Sequence, residues 1–233
     1  MSTSGSTNWS LNRDQVIKGA LRKLAVLPAG ATPTTSQVND AAEALNAIVK
    51  VFQADGMPLW KISEYTWTLT SGTSVYSIGV GETLDTEKPL KVLQAFYTVN
   101  AGQNTPMRVE NQYDFNNLPR TNVSGTPVIL TYQPLNTTGV LSVWPTPSTS
   151  TTEITIYYQS PFEDMDAATD TFDFPSEWIQ PLIYNLAWSL APEYSIPPQD
   201  RNLLQKEATY WHEYVLSMGS EEGSFYIQPN RGN

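Results

Sequence analysis

Between Phe174 and Tyr194 the sequence reads FPSEWIQPLIYNLAWSLAPEY, a helix pattern with a defined start, an unusually broad apolar face and a proline stop. Trp178, Ile179, Leu182, Ile183, Leu186, Ala187, Leu190 and Ala191 recur at i, i+1, i+4, i+5, which lays a wide stripe along one side of a 3.6-residue helix. Tyr184 and Trp188 sit one turn apart off that stripe and add aromatic surface in a second direction. A helix apolar on two sides must touch more than one neighbour. Pro181 falls in its opening turns, which predicts a later start or a kink there.

The neighbours come from both ends of the chain. Asn12 caps a first helix with Gln15 at N3, a capping-box arrangement, and Val16, Ile17, Ala20, Leu21 and Leu24 form its apolar face up to an exit at Pro28 and Gly30. Thr35 or Ser36 caps a second helix with Val38, Ala41, Ala42, Leu45, Ile48, Val49 and Phe52 inward, closed by Gly56 and Pro58. A last helix runs from Gln199 to Met218 with Leu203, Leu204, Ala208, Trp211, Val215 and Met218 on one side. Neither helical hairpin covers its own apolar face, so the first and last segments must meet.

From Trp60 to Gln159 the apolar period shortens towards two, Thr, Val, Tyr and Ile become frequent, and turn residues punctuate the chain regularly. Strands are expected at Glu64–Thr70, Ser74–Ile78, Leu90–Val99, Met107–Glu110, Val128–Gln133, Val140–Trp144 and Glu153–Gln159, with a helical turn at Gln112–Leu118. The expected fold is α+β: a discontinuous helical bundle of four main helices (11–60 and 161–219) carrying an inserted antiparallel β domain (61–160), a small sandwich or open barrel. A C-terminal extension, 220–233, follows.

The chain has no cysteine, which removes disulfides, thiolate metal sites and a thiol nucleophile. It also lacks a basic and apolar leader and any run of about 18 apolar residues, so a protein made in the cytoplasm, without export or membrane insertion, is expected. The net charge of -10 is concentrated in residues 161–233, with 3 basic and 12 acidic side chains. Such a surface repels phosphates and argues against ordinary nucleic-acid binding, while suiting a wall past which DNA slides.

Candidate chemistry is sparse. His212, the single histidine, stands in WHEYV, which lacks the second histidine of a zinc-protease motif and reads as a partly exposed helix residue near Glu207 and Glu213. Glu163, Asp164, Asp166, Asp170, Asp173 and Glu177 are dense but lack EF-hand spacing, so a solvated crossover is expected and no metal. Some carboxylate pair among 23 acidic residues will meet glycosidase spacing by chance, and Gly79 with Gly81 reads as a turn, not a nucleotide loop. Lys18, Arg22 and Lys23 form a small basic face that reads as a solvated face or as salt bridges to a neighbouring subunit's acidic third, with phosphate contact as the alternative. Trp60, Tyr65, Trp67, Tyr76, Tyr97, Tyr132, Trp144, Tyr157 and Tyr158 read as core or cross-strand rings, or as a sugar-stacking surface. No catalytic residue and no cofactor is expected.

VIKGALRKLAVLPAGATPT (16–34), AAEALNAIVKVFQADGMPLW (41–60) and FPSEWIQPLIYNLAWSLAPEYSI (174–196) with the helix after it resemble the head-to-tail adaptor proteins of tailed bacteriophages. The resemblance covers about half of the chain and lies in the whole pattern, with no single signature. It implies a non-enzymatic virion component at the head–tail interface: a dodecameric ring whose helical domain docks under the portal protein and whose β domain meets a downstream tail or nozzle protein. DNA would pass through its channel without sequence-specific binding. Carried onto this chain, the portal-docking arm is Phe225, Tyr226 and Ile227. The extra aromatic surface places the subunit interface at Tyr184, Trp188 and Trp211. The alternative is an oligomeric tail module whose β domain recognises glycan or another tail protein.

Overall fold

A computed structural model of the chain describes residues 9–54, 61–99, 102, 104–118, 123–172 and 175–218. The chain divides into two compact units, Met1–Pro58 with Phe162–Asn233, and Leu59–Pro161.

In the first unit, helix α1 (Arg13–Lys23) begins with a full capping box: Asn12 Oδ1 accepts from the Gln15 amide at 2.9 Å, and Gln15 Oε1 accepts from the Asn12 amide at 3.0 Å. Its exit comes earlier than Pro28 and Gly30. The Val26 amide bonds Leu21 O and the Ala25 amide bonds Arg22 O, a Schellman closure that puts Ala25 at φ 57°. Helix α2 (Thr35–Ala54) is capped one residue before the expected pair, with Thr34 and Gln37 exchanging bonds of 2.9 and 3.4 Å. Its expected close at Gly56 and Pro58 lies outside the described residues. Helix α4 (Ile179–Leu190) follows a 3₁₀ turn, Ser176–Trp178. Pro181 therefore sits in the first turn, where its missing N–H has no intrahelical acceptor to lose. Helix α5 (Pro198–Met218) packs on α4 through Ala208 and Val215, while Leu203, expected inside, is exposed.

These helices share one core. Gly19 lets α1 approach α4 so closely that a Cβ there would lie 3.1 Å from Ile183 Cδ1. Phe52, Trp178 and His212 pack edge to face, with centroids 4.5 to 6.1 Å apart. The segment leading to α4 is pinned to α2 by groups at i, i+4 and i+7: Asn46 accepts from the Met165 amide, Lys50 donates to Phe162 O and pairs with Asp164, and Gln53 accepts from the Phe162 amide. Arg13 holds the same crossover, its amide bonding Asp170 O and its guanidinium Asp166 O.

The second unit overturns the expected fold class. Among the described residues the chain is built mostly around a large, nearly closed mixed sheet of eight strands with five helices, and is not a helical bundle carrying a small antiparallel insertion. The strands are β1 (Ile62–Thr68), β2 (Val75–Gly79), β3 (Leu84–Asp85), β4 (Lys91–Val99), β5 (Thr105–Glu110), β7 (Ile129–Pro134), β8 (Gly139–Trp144) and β10 (Thr152–Gln159). A separate ribbon pairs β6 (Ser124–Gly125) with β9 (Thr146–Pro147). The sheet order is β1-β10-β4-β5-β7-β8-β2-β3. Its ends curl together, since Trp67 on β1 meets Tyr76 on β2 edge to face at 5.9 Å.

Two parallel pairings make the sheet mixed. β5 turns a corner: residues 105–107 pair antiparallel with β4, and residues 108–110 pair parallel with β7. A parallel partner needs a crossover, and α3 (Gln112–Asn116) and β6 occupy it. The short strand β3 then pairs parallel with β2. A bulge opposite Tyr157 and Tyr158 skips Leu93, so Val92 and Ala95 both face the core from β4. The first and last long strands, β1 and β10, are neighbours, and the Ser160 amide bonds Lys61 O.

Candidate subunit interface

Helix α2 buries Ala41, Leu45, Val49 and Phe52 and turns Ala44, Ala47, Ile48 and Val51 the other way. These face Trp188 of α4 and Pro192 just after its end across a groove of about 470 Å³. Val51 is 57 % exposed and Trp188 42 %, so an apolar surface with almost no polar lining lies open among the described residues. Such a surface is a candidate contact site.

Trp188 and Pro192 also line a second, smaller hollow with Arg201, Asn202 and Gln205 of α5. Arg201 Nε is buried there and finds no hydrogen-bond partner among the described residues. A desolvated guanidinium donor without an acceptor is a loss that a partner's carboxylate or carbonyl would offset.

α5 carries a further apolar surface. Leu203 (61 % exposed), Tyr210 (58 %) and Tyr214 recur at i, i+7 and i+11, with Glu207 completing the row. Tyr210 stacks on Tyr214 at 6.2 Å, and Trp211 meets both edge-on while its Nε1 donates to Glu207 at 3.2 Å. The result is a rigid aromatic ridge.

The three aromatics expected at an interface thus have different surroundings. Tyr184 is engaged within its own subunit, where Lys23 Nζ donates to its hydroxyl at 3.0 Å and lies 4.7 Å from its ring centroid. Trp188 forms the wall shared by the two hollows, and Trp211 braces the ridge. Ala44, Ala47 and Val51, together with Tyr210 and Tyr214, escaped the sequence reading. Their spacings of i, i+3, i+7 and i, i+4 carried the signal, masked by the stronger stripes on the same helices. The expected arm Phe225, Tyr226 and Ile227 lies outside the described residues.

Other candidate chemistry finds structural roles. His212 is partly exposed, as expected, and its ring packs against Phe52 and Trp178. In the acidic run, Asp164 pairs with Lys50 at 2.6 Å and Asp170 accepts from the Ala167 amide at 2.7 Å; among the described residues no group of three or more potential ligands is placed to hold a metal. In the β unit Trp67, Tyr76 and Tyr158 are buried, and Tyr65, Tyr97, Tyr132, Trp144 and Tyr157 half-buried; Trp60 lies outside the described residues. Burial pushes the Tyr132 phenol up to about 12. No described helix is long and apolar enough to cross a membrane.

No curated protein matches the chain. The family model of the SU10 adaptor protein matches residues 12–222, a span that takes in both helical segments and the whole sheet between them. The chain therefore belongs to the SU10 adaptor protein family, a family of phage head-to-tail adaptors.

Proposed function

We propose that this phage adaptor acts as a ring, twelve copies joining the portal protein to the tail and helping to conduct and retain the genome. The observation that carries the reading is the open apolar groove between α2 and α4, with the aromatic ridge on α5, on a unit whose own core is already filled. Two apolar surfaces left open among the described residues of one small unit suit a subunit that is completed by its neighbours. In this reading the helical segments 11–60 and 161–219 form the oligomerising base beneath the portal, and Phe225, Tyr226 and Ile227 reach onto portal subunits. The β domain faces the downstream tail or nozzle protein. The acidic last third discourages DNA from sticking as it passes. The mature location is the head–tail interface of the virion.

Native mass spectrometry of the chain mixed with the portal ring of the same phage tests this. Twelve bound copies per portal are expected, and deletion of 220–233 should weaken binding. Absence of any portal complex would refute the adaptor ring.

A further inference from the structure

We infer that the helical unit pairs with a second copy of this chain head to tail, the α5 ridge of one copy seating in the α2–α4 groove of the next. This deepens the ring reading and rests on it.

The ridge and the groove cannot serve the same copy. At about 100° per residue, the ridge residues Leu203, Glu207, Tyr210 and Tyr214 point on the order of 160° away from Pro198, Arg201, Asn202 and Gln205, which face Trp188. They lie on nearly opposite sides of α5. A surface pair of this kind makes a heterologous contact, each copy offering a ridge to one neighbour and a groove to the other. An isologous dimer would need ridge and groove of one copy to face the same partner, which their placement on nearly opposite sides of α5 opposes.

The chemistry of the two surfaces is complementary. The groove is concave, walled by Ala44, Ala47 and Val51 on α2 and Trp188 on α4, and small side chains on one wall leave room for rings from outside. The ridge is convex and its rings are mutually braced, so little side-chain freedom remains to be lost on docking. Charge agrees as well. Glu207 lies in the ridge and Glu213 beside it, whereas the hollow next to the groove holds the unpartnered Arg201 Nε. One turn from Trp188, Tyr184 is overlaid by Lys23, and Arg22 is exposed on the same helix as Lys23. A ridge carboxylate would give Arg201 the acceptor it lacks, and the cations of α1 would flank it.

This chain has no cysteine, so its only reactive thiols are the introduced ones. Ala47→Cys in the groove and Tyr210→Cys on the ridge are combined in one chain and treated with a short bis-maleimide, on portal-bound assemblies and on the free chain. A ladder of covalent oligomers up to the closed ring from the double variant, with no ladder from either single variant, is the expected result. Crosslinks that stop at dimers would overturn the head-to-tail pairing. A crosslink from Ala47→Cys to Phe225→Cys within one chain, or to a portal subunit, would assign the groove to another occupant. Native masses of the uncrosslinked assembly separate the two failures: a ring that forms without a ladder refutes this pairing alone, and no ring refutes the reading beneath it. Arg201→Glu should reduce the ladder at least tenfold, and Arg201→Glu with Glu207→Arg should restore it; failure of that rescue overturns the assigned ion pair.

Discussion

Replacing Gly139 by alanine should destabilise the β unit through one identifiable collision. Gly139 opens β8, opposite Pro134 at the end of β7, and the Tyr132 ring lies across it. A Cβ at 139 would fall 2.7 Å from Tyr132 Oη and 2.9 Å from Cζ, and closer still to Cε2. Ordinary carbon contacts begin near 3.5 Å, so the ring must retreat by about 1 Å. It is not free to do so, because its hydroxyl donates to Pro89 O. Losing that bond in a half-buried site costs about 1–2 kcal/mol, and overpacking adds about 1–3 kcal/mol. Alanine offsets about 0.5–1 kcal/mol of this by restricting the unfolded chain. The net cost should be about 1–4.5 kcal/mol, read by hydrogen exchange of peptides spanning 129–144 and by denaturant midpoint. In a Tyr132→Ala background the same substitution should cost nothing. An unchanged stability in the wild-type background, or a full cost in the ringless one, would refute the collision.

Three further outcomes follow from the same kind of accounting. Ala25→Gly should stabilise the helical unit by about 0.5–1 kcal/mol in chemical denaturation, since Ala25 closes α1 at φ 57° where a Cβ is penalised. Phe52→Ala removes a ring packed between Trp178 and His212 and should cost about 3–5 kcal/mol, seen as a lower melting temperature with exchange protection of the β unit retained. Tyr132 has its phenol raised from 10.0 to about 12 by burial, so the unfolded chain releases that proton first; stability is unaffected below pH 10 and falls as pH rises towards 12, an alkaline loss that Tyr132→Phe should diminish in a pH series of denaturation midpoints.

What could be read beforehand was local. The Asn12–Gln15 box, the late start forced by Pro181 and the positions of the longer strands depend on residues within one turn or one alternation of each other. Thr34 displaced Thr35 and Ser36 as a cap because three adjacent hydroxyls offer the same chemistry and only Gln37 selects among them. What escaped was pairing across distance. Nothing between Thr105 and Glu110 announces that one strand serves an antiparallel neighbour with its first half and a parallel one with its second. Helices apolar on two sides hid their weaker stripe, which is why the Ala47 and Tyr210 surfaces emerged only with the structure.

The pairing of β1 with β10 also sets a timetable for synthesis. α1 and α2 leave the ribosome early, but the helix that covers them begins only at Ile179, after the whole sheet has been made. At about 5–20 residues per second, the 125 residues from Ala54 to Ile179 take roughly 6–25 s. During that interval the apolar face of α2 has no α4 to lie against. The sheet cannot zip its first strand until its last has emerged, and once it does, Lys61 and Ser160 are brought side by side. A waiting time of about a hundred residues is thereby turned into a short tether, and α4 arrives next to the helices that need it.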